Sequence, residues 1–308
     1  MIDQGARTTD HVSVVLPYFN RADCLERAAS SVLSQTYGEL TLYLVDDGST
    51  DQSRTVARSL RDDRIVHIDA PRNVGSSAAR NLGIEAARSN LIAFMDSDDE
   101  WLPEKLETQV GHLREAQGRG LPIALVGCAW RYSEHVEAGR TFDPGPFDRR
   151  DVLRGRVGGV GTPMLLLDRA VADARATFDP RMPAFQDRDF VLSCLANDSL
   201  VTVVPRVLAV VTRGRSDHVA NNHRAAAAWE RLITKYGTEL RDDRALWAWY
   251  HYRAARQLFL AGEVRKGVSH VRPALAEDPM PKAVHLSLTA VARTRGAALA
   301  GKLVPYAS

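Results

Sequence analysis

The sequence predicts an α/β protein, with a mixed, mainly parallel β-sheet flanked by helices and a helical C-terminal region. Three observations predict it. Short apolar runs alternate with amphipathic stretches over residues 12–95, the pattern of βαβ units. The runs are nearly continuous in apolar residues, as in strands covered on both faces. From about residue 225 the pattern is helical throughout.

The elements follow in order. Residues 12–16 form the first strand. A helix over residues 23–35 puts Leu25, Ala28, Ala29 and Val32 on one face, with Asp23 and Glu26 spaced as a capping box. Residues 40–45 are a second strand, and the turn Asp46-Asp47-Gly48-Ser49-Thr50-Asp51 leads into a helix with Val56 and Leu60 inward. Residues 65–68 are a third strand, 73–75 a loop and 78–88 a helix. Residues 91–95 are a fourth strand, ending in Asp96-Ser97-Asp98-Asp99.

Further on, 123–130 and 164–167 read as strands and 140–146 as a Pro/Gly loop. Residues 157–162 are glycine-rich, 187–196 helical, and 201–211 extended but broken by Pro205. Helices over 225–236, 244–261, 264–275 and 282–299 complete the chain, punctuated by Gly262 and Pro279. The boundary falls near residue 220, giving an α/β domain over 1–220 and a helical domain over 221–308 for packing or oligomerisation.

Composition narrows the function. The chain has 308 residues, 45% hydrophobic and 25% charged, as in soluble globular proteins. Lys plus Arg number 40 against 38 acidic residues, a net charge of +2, so the basic excess of a nucleic-acid binder is missing. Cys24, Cys128 and Cys194 are far apart and odd in number, which speaks for buried thiols in a reducing compartment. Residues 1–10 lack the apolar core of a signal peptide, and no apolar run reaches the ~18 residues of a membrane helix. The expected location is the cytoplasm.

Ligands of open α/β sheets bind beyond the carboxyl ends of the strands. Three features fall there: Pro17-Tyr18-Phe19-Asn20, Asp46-Asp47-Gly48-Ser49 and Asp96-Ser97-Asp98. Each alone reads equally as a turn, a helix cap or solvated surface. Together they make an acidic edge suited to Mn²⁺ or Mg²⁺, which is held by one or two carboxylates plus substrate phosphates. No Walker-type Gly-x-x-x-x-Gly-Lys-Ser/Thr turn follows these strands, and no Gly-x-Gly-x-x-Gly follows the first.

The motifs carry a resemblance. Residues 12–20, Ser34-Gln35-Thr36-Tyr37, residues 45–51, Asn73-x-Gly75-x-x-x-Ala79-Arg80-Asn81-x-Gly83 and Phe94-Met95-Asp96-Ser97-Asp98-Asp99-x-Trp101-x-Pro103-x-Lys105-Leu106 resemble the N-terminal half of family 2 glycosyltransferases of the GT-A fold. The likeness returns at Phe178-Asp179-Pro180 and at Gln186-Asp187-x-Asp189-Phe190, and covers roughly residues 11–215.

The resemblance implies an inverting, hexosyltransferase-type enzyme that uses a nucleotide sugar and a divalent metal. Position by position, Pro17, Tyr18 and Phe19 would line the base pocket. Asp47 would accept from the base imide N–H, which favours a UDP- or dTDP-sugar over a cytosine nucleotide. Asp46 would be structural or on the ribose side. Arg80 would pair with phosphate or the acidic cluster, Asp96 would reach the ribose or a metal-bound water, and Asp98 would ligate the metal. Asp99 reads as a cap of the next helix. Asp187 matches the general base, although Gln186 stands where the family usually has Glu. The bland alternative makes Asp187 an N-cap, with Asp189 a cap or salt-bridge partner. Arg213, Arg215 and His218 form a possible diphosphate loop, and His218 and His223 lack zinc spacing.

Two other classes compete: a sugar-1-phosphate nucleotidyltransferase, and a nucleotide-sugar-binding protein without catalysis. The first would carry a glycine-rich basic loop after strand one, and residues 17–20 are not that. The acceptor, whether saccharide, lipid-linked, peptide or small molecule, is not legible. Beyond Asp278 there is no acidic residue, while Lys282, Arg293, Arg295 and Lys302 are basic and Val284, Leu288 and Val291 share a helical face. That tail reads as a packing or homo-oligomer surface, with a peripheral membrane contact as the alternative.

Overall fold

A computed structural model describes residues 11–134, 142–195, 198–212, 218–277 and 279–294, with backbone alone at 218–220, 279, 288 and 291–294. The chain divides into two compact units: Met1–Pro180 with Gln186–Arg213, and Arg181–Phe185 with Gly214–Ser308. Nothing in the composition of Arg181–Phe185 marks it as grouping with the C-terminal helices.

The first unit is built on one eight-stranded sheet of order β3-β2-β1-β4-β7-β6-β8-β5. Its strands are β1 (Val12–Tyr18), β2 (Leu40–Asp46), β3 (Ile65–Asp69), β4 (Leu91–Phe94), β5 (Glu100–Trp101), β6 (Ile123–Tyr132), β7 (Leu166–Asp168) and β8 (Leu200–Val211). The helices are α1 (Leu25–Leu33), α2 (Ser53–Ser59), α3 (Ser76–Ala86), α4 (Lys105–Gly118), α5 (Arg149–Leu153) and α6 (Gln186–Cys194). β1 runs parallel to β2 and β4, β2 to β3, and β6 to β8. β7 is antiparallel to β4 and β6, and β5 to β8.

Packing explains the sequence pattern. All of β1 is buried because neighbours cover both its edges and helices cover its faces, hence its unbroken apolar run. α1 buries Leu25, Ala28, Ala29 and Val32 in the same core. α3 lies so close to β1 that a Cβ on Gly83 would sit 2.3 Å from Val15 Cγ1.

Four local expectations are corrected. The capping box at Asp23 is absent: α1 starts at Leu25 with no side-chain cap. Its entry is held from outside, Arg21 N donating to Ser53 Oγ at 2.6 Å and Ala22 N to Asp51 Oδ2 at 3.3 Å. Residues 162–164 form a 3₁₀ turn and β7 begins only at Leu166. β8 runs unbroken past Pro205 because the register with β6 slips there, Cys128 facing Val204 and Ala129 facing Val207. The bulge excuses proline from the ladder. Cys128 and Cys194 are buried but Cys24 is partly exposed.

The second unit is helical: α7 (His218–Lys235), α8 (Gly237–Arg241), α9 (Arg244–Leu260), α10 (Val264–Ser269), α11 (Val271–Ala274) and α12 (Pro279–Thr294). Trp229 and Tyr250 are buried edge to face, centroids 5.3 Å apart, and Phe185 lies 5.1 Å from Trp229. Asp243 caps α9 by accepting from Leu246 N. The single helix expected over 264–275 is broken at His270, whose Nδ1 meets His251 Nδ1 at 2.8 Å. His223 pairs with Glu263 at 3.0 Å. On α12, Met280 and Val284 are exposed; the side chains of Leu288 and Val291 lie outside the described residues. Among the described residues no helix is long and apolar enough to cross a membrane.

Candidate active site

Parallel pairing brings the carboxyl ends of β1, β2 and β4 to one sheet edge. A cleft of about 310 Å³ opens there. Pro17, Tyr18, Phe19, Asp47, Arg80, Asp96 and Asp98, all expected from the sequence, line it. Arg21, Asn73, Gly75, Ser76 and Ser97 line it as well.

The loops are pinned by their own polar groups. Asn20 takes a left-handed φ of 53°, and its Oδ1 accepts from Thr50 N at 2.9 Å and Asp51 N at 3.3 Å. Asp46 is fully buried, accepting from Ser49 N at 2.9 Å and forming an ion pair with Arg54 at 2.6 Å. It is absent from the cleft lining, so its place in the structure is that of a loop anchor. Asp47 accepts from Val74 N at 2.6 Å and Gly75 N at 3.0 Å. Between them Gly48 has φ 74°, and a Cβ there would lie 2.7 Å from the backbone of Arg72 and Asn73. Glycine alone allows the two loops to approach this closely.

Arg80 Nη2 donates to Asp96 Oδ1 at 2.5 Å, and the guanidinium lies 5.2 Å from the Phe178 ring centroid. The Arg80 Nε and Nη1 groups are buried without a partner. Asp98 is the more open carboxylate, 38% exposed, with Arg21 Nη2 3.8 Å away. Its carbonyl accepts from Arg27 Nη2 at 3.0 Å. Asp99 is buried and accepts from Thr212 N at 2.9 Å; burial beside Asp96 and Asp98 pushes its pKa up to about 8. The expectation that Asp99 caps the next helix is therefore corrected. α4 begins at Lys105 after Glu104, and Asp99 ties down the end of β8 instead.

Asp187 is the second residue of α6, inside its first turn rather than at the N-cap. Its Oδ1 accepts from Arg188 N at 2.8 Å, and Oδ2 faces Gly161. Burial, with a smaller push from Asp96, raises its pKa, against Arg80 and Arg188. Asp187 thus feels the Arg80–Asp96 pair without lining the cleft itself. Asp189 is fully buried. Arg213 and Arg215 lie outside the described residues, as does the side chain of His218.

The remaining motif residues support the site from beneath. Gln35 accepts from Leu106 N at 3.0 Å and donates to the Leu102 carbonyl at 2.8 Å. Lys105 is fully buried, donating to Gln109 Oε1 at 2.7 Å with its ammonium 3.9 Å from the Trp101 centroid. Burial lowers its pKa to about 8. Gln109 and Trp101 in turn bind the Met164 and Pro163 carbonyls.

Among the described residues no three His, Cys, Asp or Glu side chains converge as a metal cage. The donor set in the cleft still fits a hard cation. Mg²⁺ and Mn²⁺ are held by one or two carboxylates with water and substrate phosphate, and Asp98 presents such a carboxylate.

The model of glycosyl transferase family 2 matches residues 13–172, which carry the cleft and its loops. The chain belongs to glycosyl transferase family 2. It is a glycosyltransferase. It is 30% identical over 192 residues to the putative teichuronic acid biosynthesis glycosyltransferase TuaG of Bacillus subtilis (strain 168), covering 60% of this chain and 71% of TuaG. It is 34% identical over 106 residues to the UDP-Glc:alpha-D-GlcNAc-diphosphoundecaprenol beta-1,3-glucosyltransferase WfaP of Escherichia coli, covering 34% of this chain and 42% of WfaP. Two solved structures share the fold. One is S. aureus TarS 1-349 in complex with UDP-GlcNAc, with TM-score 0.60, 15% identity, and coverage of 93% of this chain and 92% of that one. The other is the mannosyltransferase PcManGT from Pyrobaculum calidifontis in complex with GDP-Man and Mn²⁺, with TM-score 0.58, 19% identity, and coverage of 91% and 79%.

Proposed function

We propose that this family 2 enzyme moves a hexosyl group from a UDP- or dTDP-sugar to an acceptor hydroxyl with inversion. Asp187 is the general base, and Mn²⁺ or Mg²⁺ is held at Asp98. The observation that carries the reading is the convergence of Phe19, Asp47, Arg80, Asp96 and Asp98 on one cleft.

Each role follows from local chemistry. Phe19 is 39% exposed, a ring available for a base to stack on. Asp47 gives two of its roughly four acceptor sites to Val74 and Gly75, which leaves others for a base imide. Arg80 holds Asp96 in place on the ribose side. Asp187 takes the acceptor proton as the hydroxyl attacks, and its raised pKa makes it a stronger base than a solvated carboxylate. A divalent cation at Asp98 would draw charge from the departing diphosphate. The UDP-Glc donor in the name of WfaP supports uridine, and its lipid-linked acceptor supports a saccharide carried on a lipid diphosphate. The reading carries a cytoplasmic location with, at most, a peripheral membrane contact.

Calorimetry with UDP, dTDP, CDP and GDP in the presence of Mn²⁺, followed by nucleotide release from the matching sugars, tests this. UDP or dTDP should bind and CDP should not. Equal binding of CDP removes Asp47 from base reading, and binding of no nucleotide at all removes the cleft from donor recognition.

A further inference from the structure

Arg21 is the second arginine of the cleft, and no motif pointed to it. Its backbone is locked: N donates to Ser53 Oγ at 2.6 Å and O accepts from Leu25 N at 2.9 Å, at the start of α1. Its side chain is not locked. It is 45% exposed and faces Asp98 Oδ2 at 3.8 Å, a loose and hydrated pair. Arg80, by contrast, is committed to Asp96 at 2.5 Å and only 7% exposed. The remaining Arg80 donors, Nε and Nη1, are buried, so Arg21 is the exposed guanidinium of the cleft, able to offer its fork to phosphate oxygens in pairs. Asp98 is placed for a matching release. Its main chain stays anchored through the Arg27 bond to its carbonyl, whatever its carboxylate does.

We propose that Arg21 is a phosphate-binding residue of the donor site that exchanges partners. In the free protein it faces Asp98. When the nucleotide sugar enters, the guanidinium moves to the diphosphate and leaves the Asp98 carboxylate open to the cation. No covalent bond changes in this step; one ion pair is traded for another. The exchange rests on the reading of the cleft as a nucleotide-sugar site.

The Arg21→Gln and Arg21→Lys variants test it. Both keep the backbone bonds that set the start of α1, and a thermal melt checks that they fold. Binding of UDP without metal and binding of Mn²⁺ alone are measured separately, by calorimetry and by electron paramagnetic resonance. Arg21→Gln should weaken metal-free UDP binding about tenfold or more, the worth of a charge-assisted hydrogen bond. It should tighten Mn²⁺ binding, because Asp98 loses its competing cation. Arg21→Lys should fall between wild type and Arg21→Gln on both scales. A residue with only a structural role would not move the two affinities in opposite directions. Unchanged UDP affinity in Arg21→Gln, or a fall in both affinities, overturns the exchange while leaving the donor site standing. If the wild type binds no UDP, the site reading itself fails and the exchange falls with it.

Discussion

Asn81 and Phe178, 97 residues apart, hold each other by two hydrogen bonds: Asn81 Nδ2 donates to the Phe178 carbonyl at 2.8 Å, and Phe178 N donates to Asn81 Oδ1 at 2.9 Å. The pair fastens α3 to the segment that leads towards α6. The Phe178 ring stacks on Phe190 at 4.0 Å and lies beneath Arg80. One asparagine thus joins Arg80 to the helix that carries Asp187.

Asn81→Ala should therefore act on stability and on the site together. It leaves the Phe178 backbone N–H and carbonyl without their partner, a cost of about 1–3 kcal/mol. A lowered melting temperature with weaker UDP binding is the expected pair of results, read by calorimetry and titration.

Asp98 and Asp187 should separate in function. Asp98→Asn should weaken metal-dependent donor binding and suppress both transfer and donor hydrolysis. Asp187→Asn should leave donor and metal affinity near wild type while transfer falls by about a hundredfold or more. If Asp187→Asn transfers at the wild-type rate, the base is another group, with Asp189 the next to test.

The pH profile has a defined sign. A base works only when ionised, so transfer is lost as pH falls through the pKa of Asp187. Burial raises that pKa, so the acid limb should begin above the ordinary carboxylate range. The profile of kcat for wild type against Asp187→Glu checks this, since the longer carboxylate changes the burial and should move the limb.

Gly83→Ala should destabilise by about 1–3 kcal/mol, because its new Cβ would press on Val15 Cγ1. Adding Val15→Ala should recover part of the loss. A double-mutant cycle in urea reads the coupling.

Histidine burial should make the helical unit acid-sensitive. Burial takes His251 down to about 4, with His270 and Arg241 adding to the shift. His270 is lowered as well, by burial, against Glu230, and Trp247 packs on His251. A folded-state pKa below the unfolded one means that the unfolded chain binds the proton more tightly. Stability should be full above about pH 6.5 and decline towards pH 4. His251→Gln should flatten that slope in melts followed by circular dichroism.

The sheet was legible because its signals are local. β1, β2 and β4 are apolar runs buried almost throughout, and the loop residues at the ends of β1 and β2, Pro17 to Asn20 and Asp46 to Asp51, are turn chemistry written in short stretches. The cleft followed from parallel pairing, which brings the carboxyl ends of β1, β2 and β4 to the same edge. Some features had no local sign. β5 is two residues whose partner in β8 is over a hundred positions away, and the continuity of β8 past Pro205 depends on a register slip against β6. Asp99 looked like a cap because carboxylates before helices usually are caps. Packing gave it the Thr212 amide instead and drove up its pKa. Arg21 was hidden for the same reason: an arginine after a turn is ordinary surface until folding sets its side chain across from Asp98. Patterns of burial and turn are properties of neighbouring residues, so the chain announces them. Pairings between distant side chains depend on the path of the backbone in three dimensions, and they exist only once the sheet has closed.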